Sequence, residues 1–189
     1  MKRFNVVRDF IACLNDNDVA IFSNELLNKE AFQYDRSGNM YVSTPAIALS
    51  IGIGIAIGTT KRVFIFCEDN DFIEHLGIFA QAAASQCKNI IYVIFNSGGC
   101  RELSELPNIF GSLYSPKGIL LNLGFRVHDY THFFNNSKEF KSDKTNTIKR
   151  IGGPLAVIIK VDKGIKKIEN DVISNEVLKQ RINNFIVNF

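Results

Sequence analysis

The stretch from Lys61 to Gly99 constrains the fold more than any other: KRVFIFCEDNDFIEHLGIFAQAAASQCKNIIYVIFNSGG. A short apolar run, Val63–Phe66, enters an acidic turn at Glu68-Asp69-Asn70-Asp71. An Ala-rich helical segment follows over Asp71–Ala84, and a second apolar run, Ile90–Phe95, ends on Asn96-Ser97-Gly98-Gly99. Two strands joined by one helix pair in parallel, because the crossover returns the chain to the same end of the sheet. Their carboxyl ends then lie side by side, so this order brings Asp69 and Asn96 together at the edge where open α/β sheets bind ligands. A carboxylate and an amide oxygen meeting there suit a hard cation such as Mg²⁺, which takes oxygen ligands and often also holds a phosphate.

The remainder of the chain repeats the alternation. Val6, Val7, Phe10, Ile11 and Leu14 recur at helical spacing over residues 2–14. Asp18–Ser23 is a short strand, Asn24 can cap a helix through Tyr34, and Met40–Val42 is extended. Ser43-Thr44-Pro45 has the form of an N-cap followed by a helix-starting proline. The helix from Pro45 carries Gly52, Gly54 and Gly58, which points to close packing against a sheet or a second subunit. A dinucleotide fingerprint is disfavoured, because these glycines fall inside a helix and not at the turn after a strand. Beyond a long loop over Ser97–Lys117, a short helix is expected at Gly118–Leu123 and a strand at Phe125–Asp129. A helix capped by Thr131, a polar segment over Lys141–Gly153, a buried strand over Pro154–Val161 and a closing helix over Val172–Val187 complete the reading. Strands alternating with helices imply an α/β fold: a doubly wound, mostly parallel sheet with helices on both faces, as one domain over residues 1–189.

Composition narrows the function. A net charge of +3 with no run of five basic residues disfavours a nucleic-acid partner, and the basic excess near Lys160–Lys167 reads as a solvated face. Cys13, Cys67, Cys87 and Cys100 form no CxxC pair, as expected in a reducing compartment. Lys2-Arg3 leads into an amphipathic pattern, not the apolar core of a signal peptide, and Pro45–Gly58 is too short to span a bilayer. The expectation is a cytoplasmic protein with no membrane partner.

The order and spacing of these pieces resemble the diphosphate-binding domain of thiamine diphosphate enzymes. That family carries Gly-Asp-Gly, followed at similar spacing by Asn-Asn. The corresponding stretches are Glu68-Asp69-Asn70 and Phe95-Asn96, with Asp69 and Asn96 standing 27 positions apart (69 to 96). Within the family the chain is most similar to the β subunit of sulfopyruvate decarboxylase and the carboxyl-terminal half of phosphonopyruvate decarboxylase. The supporting stretches are Ser23-Asn24, Lys29-Glu30, Ser43–Ala46, Ser50–Ile57, Leu76-Gly77, Lys88-Asn89 and Pro154.

The resemblance implies thiamine diphosphate and Mg²⁺ as cofactors, with the metal on Asp69, Asn96 and the carbonyl of Gly98. It implies cofactor-binding positions at Ser43, Thr44 and Pro45, at Glu68, Asp69, Asn70 and Asp71, and at Asn96, Gly98 and Gly99. Free N–H groups at the start of the helix after Asp69 would meet the diphosphate, and Asn70 or Asp71 would cap that helix. Asn70 stands where relatives have glycine and tolerates a left-handed backbone better than most residues. Glu68 also replaces a glycine. A carboxylate about 5 Å from a phosphate oxygen costs on the order of 1–3 kcal/mol, so its side chain must point away or binding is weakened or lost. Phe95 is tolerable if that position only packs.

The family joins this domain to another that holds the aminopyrimidine and an activating glutamate. The chain is long enough for the first alone, so the glutamate is expected on a partner chain, an aminopyrimidine-binding subunit in a hetero-oligomer. The expected reaction is decarboxylation of a small 2-oxo acid of the sulfopyruvate or phosphonopyruvate kind. The alternatives are a carbon–carbon bond-forming, acetolactate synthase-like subunit and a degenerate, non-catalytic assembly or regulatory subunit. His75, His128 and His132 read as structural and Cys67 as a small buried hydrophobe. Arg101, beside Cys100 in the long loop, reads first as a surface arginine and second as a partner for an anionic substrate group.

Overall fold

Six extended runs form one all-parallel sheet in the computed structural model of the chain, which describes residues 1–97, 115–131 and 152–162 together with 176, 177, 180 and 181. In chain order the elements are α1 (Arg3–Cys13), β1 (Val19–Phe22), α2 (Glu25–Phe32), β2 (Asn39–Tyr41), α3 (Pro45–Gly58) and β3 (Val63–Glu68). They continue as α4 (Asp69–Glu74), α5 (Leu76–Ala84), β4 (Ile90–Asn96), α6 (Pro116–Asn122), β5 (Arg126–Tyr130) and β6 (Leu155–Lys160). The strand order is β2-β1-β3-β4-β6-β5. β3 pairs with β1 from Val63 opposite Val19 to Phe66 opposite Phe22, and with β4 from Val63 opposite Ile90 to Glu68 opposite Phe95.

Alternation along the strands divides the interior into two cores. On one face Phe22, Phe64, Phe66, Val93 and Phe95 pack beneath α1 and α2. On the other, Ile65, Cys67, Tyr92 and Ile94 pack beneath α3, α5 and α6. The central strands are buried on both faces, which is why they read as unbroken apolar runs. Near the carboxyl edge on the α1/α2 side, Phe22 stacks on Phe66 at 4.7 Å and Phe66 on Phe95 at 6.3 Å. Phe95 is fully buried, so that position does pack.

The glycines of α3 divide by face. A Cβ on Gly52 would overlap the side chain of Ile65, so this glycine lets the helix sit directly on the sheet, whereas a Cβ on Gly54 would meet nothing. Ile47 and Ile57 on the same helix are 52% and 66% exposed.

Several boundaries differ from the sequence reading. β3 continues to Glu68 because β4 pairs with it that far. The expected single helix over Asp71–Ala84 is two, α4 and α5, broken at His75, whose φ of −124° and ψ of 32° leave the helical region. α6 starts at Pro116, ahead of Gly118, because Ser115 caps it by accepting from the Gly118 N–H at 3.3 Å. The helix expected after Thr131 and nearly all of the long loop and the polar segment lie outside the described residues. Of the closing helix, residues 176, 177, 180 and 181 are described, and they are helical. Arg181 reaches back to the sheet's outer strand, with an Nη1 bond to Asp35 at 2.7 Å and another to the Asn39 carbonyl at 3.0 Å, over the ring of Tyr41.

Candidate functional site at the carboxyl edge

The loops and helix starts that leave β1, β3 and β4 form the carboxyl edge. β1 delivers Ser23 and Asn24, β3 delivers Glu68 and Asp69, and β4 delivers Asn96 and Ser97. Glu68 and Phe95 are register partners, so the residues that follow them, Asp69 and Asn96, leave the sheet on neighbouring strands about 4.8 Å apart. Ser97 Oγ donates to Asp69 Oδ1 at 3.4 Å. Asp69 is 1% exposed, and its Oδ1 also accepts from the Asn70 N–H at 3.1 Å. One strand further on, Lys160 is the register partner of Asn96. It shares the strand parity of Ala156 and Ile158, and it is exposed. The first of the basic residues read as a solvated face therefore sits on this edge.

The side chain of Glu68 turns to the α1/α2 side. Arg3, at the start of α1, donates through Nη1 to Glu68 Oε1, and through Nε and Nη2 to both oxygens of Glu30 at 2.8 and 2.9 Å. All three side chains are buried. Burial by itself would lower the Arg3 pKa. The hydrogen bond and charge of Glu30 and the charge of Glu68 outweigh it and hold the guanidinium above its usual range.

Glu68 is also the N-cap of α4. Its carboxylate accepts from the Asp71 N–H, and the Glu68 N–H donates to Asp71 Oδ2 at 3.0 Å, a reciprocal capping box. Asp71 Oδ2 accepts further from Ser23 Oγ at 2.7 Å and Asn24 Nδ2 at 3.3 Å. Each of the three acids in this turn thus has its own surroundings. Glu68 faces a cation on one side of the sheet, Asp71 is enclosed by neutral donors, and Asp69 stands beside the end of β4.

Two expectations are corrected here. The helix after Asp69 is capped by Glu68, with Asp71 at its N3 position, and not by Asn70 or Asp71. Two of its first three amides are taken within the chain, Asn70 N–H by Asp69 and Asp71 N–H by Glu68. Asn70 lies within α4 with an ordinary helical backbone and not in the left-handed region, where Gln86 is the non-glycine residue among those described.

Ser43 and Thr44 are exposed on the same edge, since α3 runs antiparallel to the strands it covers. Thr44 is the N-cap of α3 but makes no side-chain bond to the helix, and Pro45 follows in its first turn. Gly98, Gly99, Cys100, Arg101 and His132 lie outside the described residues. Among those described, no group of three or more His, Cys, Asp and Glu side chains is arranged for a metal, so an ion on this edge would rest on a mixed set of carboxylate, amide and carbonyl oxygens. His75 sits at the α4–α5 junction, and His128 lies on β5 with its ring 6.2 Å from that of Tyr130. Cys67 is fully buried; burial, and then the charges of Asp71, Glu68 and Asp69, push its thiol well above the usual range, which is the state of an inert core cysteine.

Arg3 and Glu30 were not legible as site residues. The available signal was a charge within an apolar stripe: Arg3 precedes Val6, Val7 and Phe10 at spacings of three, four and seven, and Glu30 lies three residues after the buried Leu27.

The fold of the described residues has counterparts among solved structures. The fold matches a putative thiamin diphosphate-dependent enzyme from Mycobacterium smegmatis with a TM-score of 0.65 and 14% identity, over 86% of this chain and 32% of that one. It matches benzoylformate decarboxylase from Polynucleobacter necessarius with a TM-score of 0.64 and 13% identity, over 88% of this chain and 34% of that one. In sequence, the chain is 24% identical over 98 residues to sulfopyruvate decarboxylase subunit beta of Methanocaldococcus jannaschii, 51% of this chain and 52% of that protein. The matched region thus spans about half the length of that curated relative, and about a third of each solved neighbour. No family profile matches the chain. The chain thus shares its fold with these solved structures, and half of it is similar in sequence to half of a subunit named for a decarboxylase. No helix among the described residues is long and apolar enough to cross a membrane.

Proposed function

We propose that the chain is the diphosphate-binding component of a thiamine diphosphate- and Mg²⁺-dependent 2-oxo acid decarboxylase, of the sulfopyruvate or phosphonopyruvate kind. A partner subunit would carry the aminopyrimidine site and the activating glutamate. The observation that carries this reading is the buried Asp69 at the tip of β3, beside Asn96 and Ser97 at the tip of β4. A buried carboxylate next to a side-chain amide is a donor set that suits Mg²⁺.

In this reading Asp69 and Asn96 hold the metal, with the carbonyl of Gly98 as a further ligand. The start of α3, where Thr44 leaves the first amides without a side-chain cap, faces the phosphates. Lys160 adds a positive charge next to Asn96. Bound thiamine diphosphate supplies the electron sink for loss of CO₂ from a 2-oxo acid, and the protein supplies orientation and charge. The subunit named in the sulfopyruvate decarboxylase relative favours an enzyme divided between two chains.

A second reading, a non-catalytic assembly subunit, is favoured by one observation: two of the first three amides of α4 are bonded to the chain's own side chains. Titration calorimetry with thiamine diphosphate and Mg²⁺, on the chain alone and with its partner, separates the two. Saturable binding that requires Mg²⁺ and is lost in Asp69→Ala supports the decarboxylase component. A folded sample that binds under neither condition leaves the assembly subunit.

A further inference from the structure

The buried Arg3–Glu30–Glu68 cluster has no part in the reading above, yet it lies directly behind the edge. Glu68 is adjacent in sequence to Asp69, at the point where β3 becomes α4. Strand alternation starts the Glu68 side chain on the α1/α2 side with Phe64 and Phe66, and at the strand end its carboxylate has two places to go. It can turn toward Asp69 and Asn96, joining whatever cation they hold and repelling an anion on that cation. Or it can stay on the α1/α2 side of the sheet, where burial without a counter-charge is costly.

Arg3 removes the first option. Its fork takes both oxygens of Glu30 and one of Glu68, so the guanidinium is fixed at one end by α2 and fixes Glu68 at the other. The second use of the Glu68 carboxylate, on the Asp71 N–H, keeps it on that path.

We propose that Arg3 is a positioning residue for the anion-binding edge: by holding the Glu68 carboxylate on the α1/α2 side, it leaves Asp69 as the acidic side chain beside Asn96 and keeps the edge able to accept a phosphate-bearing ligand on Mg²⁺. This rests on the proposed diphosphate site. It adds that anion binding there depends on a residue of the amino-terminal helix that touches neither metal nor anion.

The two effects of releasing Glu68 have opposite signs, which separates positioning from mere destabilisation. A freed carboxylate near the edge strengthens, or leaves unchanged, the binding of Mg²⁺ alone, and it weakens the binding of Mg²⁺ with inorganic pyrophosphate by about tenfold or more. A damaged edge weakens both. The test is titration calorimetry of the full chain with Mg²⁺ alone and with Mg²⁺–pyrophosphate, for the wild type, Arg3→Met, Arg3→Lys and Arg3→Met/Glu68→Gln. The expected result is selective loss of pyrophosphate binding in Arg3→Met, a smaller loss in Arg3→Lys, and recovery to within about threefold of wild type in the double variant, where the freed group is neutral. Should Arg3→Met not fold, Arg3→Met/Glu30→Gln removes the other buried charge of the triad, still leaves Glu68 without its Arg3 contact, and carries the same expectation. Equal pyrophosphate binding by folded wild type and Arg3→Met overturns the positioning role and leaves the proposed function standing. Parallel loss of both ligands, or no recovery in the double variant, also overturns it. No binding by wild type, alone or with its partner, overturns the proposed function and this inference together.

Discussion

The two sides of the sheet meet the carboxyl edge in different ways. On the α1/α2 side, charge is closed on itself: Arg3 spans Glu30 and Glu68 beneath two helices, above a row of stacked phenylalanines. On the α3/α5 side, the edge carries Asp69, Asn96, Ser97 and the exposed Lys160, and α3 presents Ile47 and Ile57 to solvent. One tetrapeptide, Glu68-Asp69-Asn70-Asp71, supplies acids to both environments. Local sequence sets how many carboxylates stand at a strand tip. Tertiary partners decide which of them a ligand can use.

The largest expected effect comes from breaking the closed side. Arg3→Met removes the cation that Glu30 and Glu68 share, leaving Glu30 buried without it, and should lower the unfolding free energy by about 3–5 kcal/mol in urea titration. By contrast, Asp69→Asn on the open side removes a carboxylate from a helix start and should change stability by less than about 1 kcal/mol, while abolishing calorimetric Mg²⁺ binding. A similar loss of stability in both variants would erase the distinction between the sides.

The same comparison runs through α3 on a smaller scale. Gly52→Ala forces Ile65 off its packing and should cost about 1–3 kcal/mol by thermal or urea unfolding. Gly54→Ala, two residues away with open space around it, should stabilise the chain by about 0.5–1 kcal/mol through helix propensity alone.

The smallest effect concerns the outer strand. Burial would raise the Asp35 pKa, but hydrogen bonds from Arg181 and Tyr41 outweigh it and hold the carboxyl below its ordinary value. A depressed folded-state pKa contributes stability above the unfolded value of about 3.9, and that contribution is lost as pH falls through the lower folded value. The urea midpoint of wild type should therefore exceed that of Asp35→Asn near neutrality, and the gap should close in acid, below the ordinary aspartate range.

Much of the layout was legible before any coordinates. Val63–Phe66 and Ile90–Phe95 are apolar on both faces because both faces are covered, and that pattern marks central parallel strands. The neighbouring tips of β3 and β4 followed from the crossover between them. Two things were not legible. The break at His75 was hidden because apolar spacing continues through it; Phe72 and Phe79 pack edge to face at 4.8 Å from two separate helices. The Arg3 partner of Glu68 was hidden because it lies 65 positions away in sequence (68 to 3), and hydrophobic periodicity says nothing about where a guanidinium ends. Strand alternation puts Glu68 on the side of Phe64 and Phe66, but no local rule supplies the cation that its carboxylate meets there.

The bond from Arg181 to the Asn39 carbonyl bears on how such a sheet behaves in a crowded solution. β2 is an outermost strand, and its outward backbone would otherwise be a template for strand addition by another molecule. Arg181 occupies an acceptor of that strand and stacks a charged group over Tyr41, so a neighbouring chain that tried to extend the sheet would first have to displace a cation. The carboxyl-terminal segment thereby guards the sheet against edge-to-edge aggregation, a duty unconnected with any ligand.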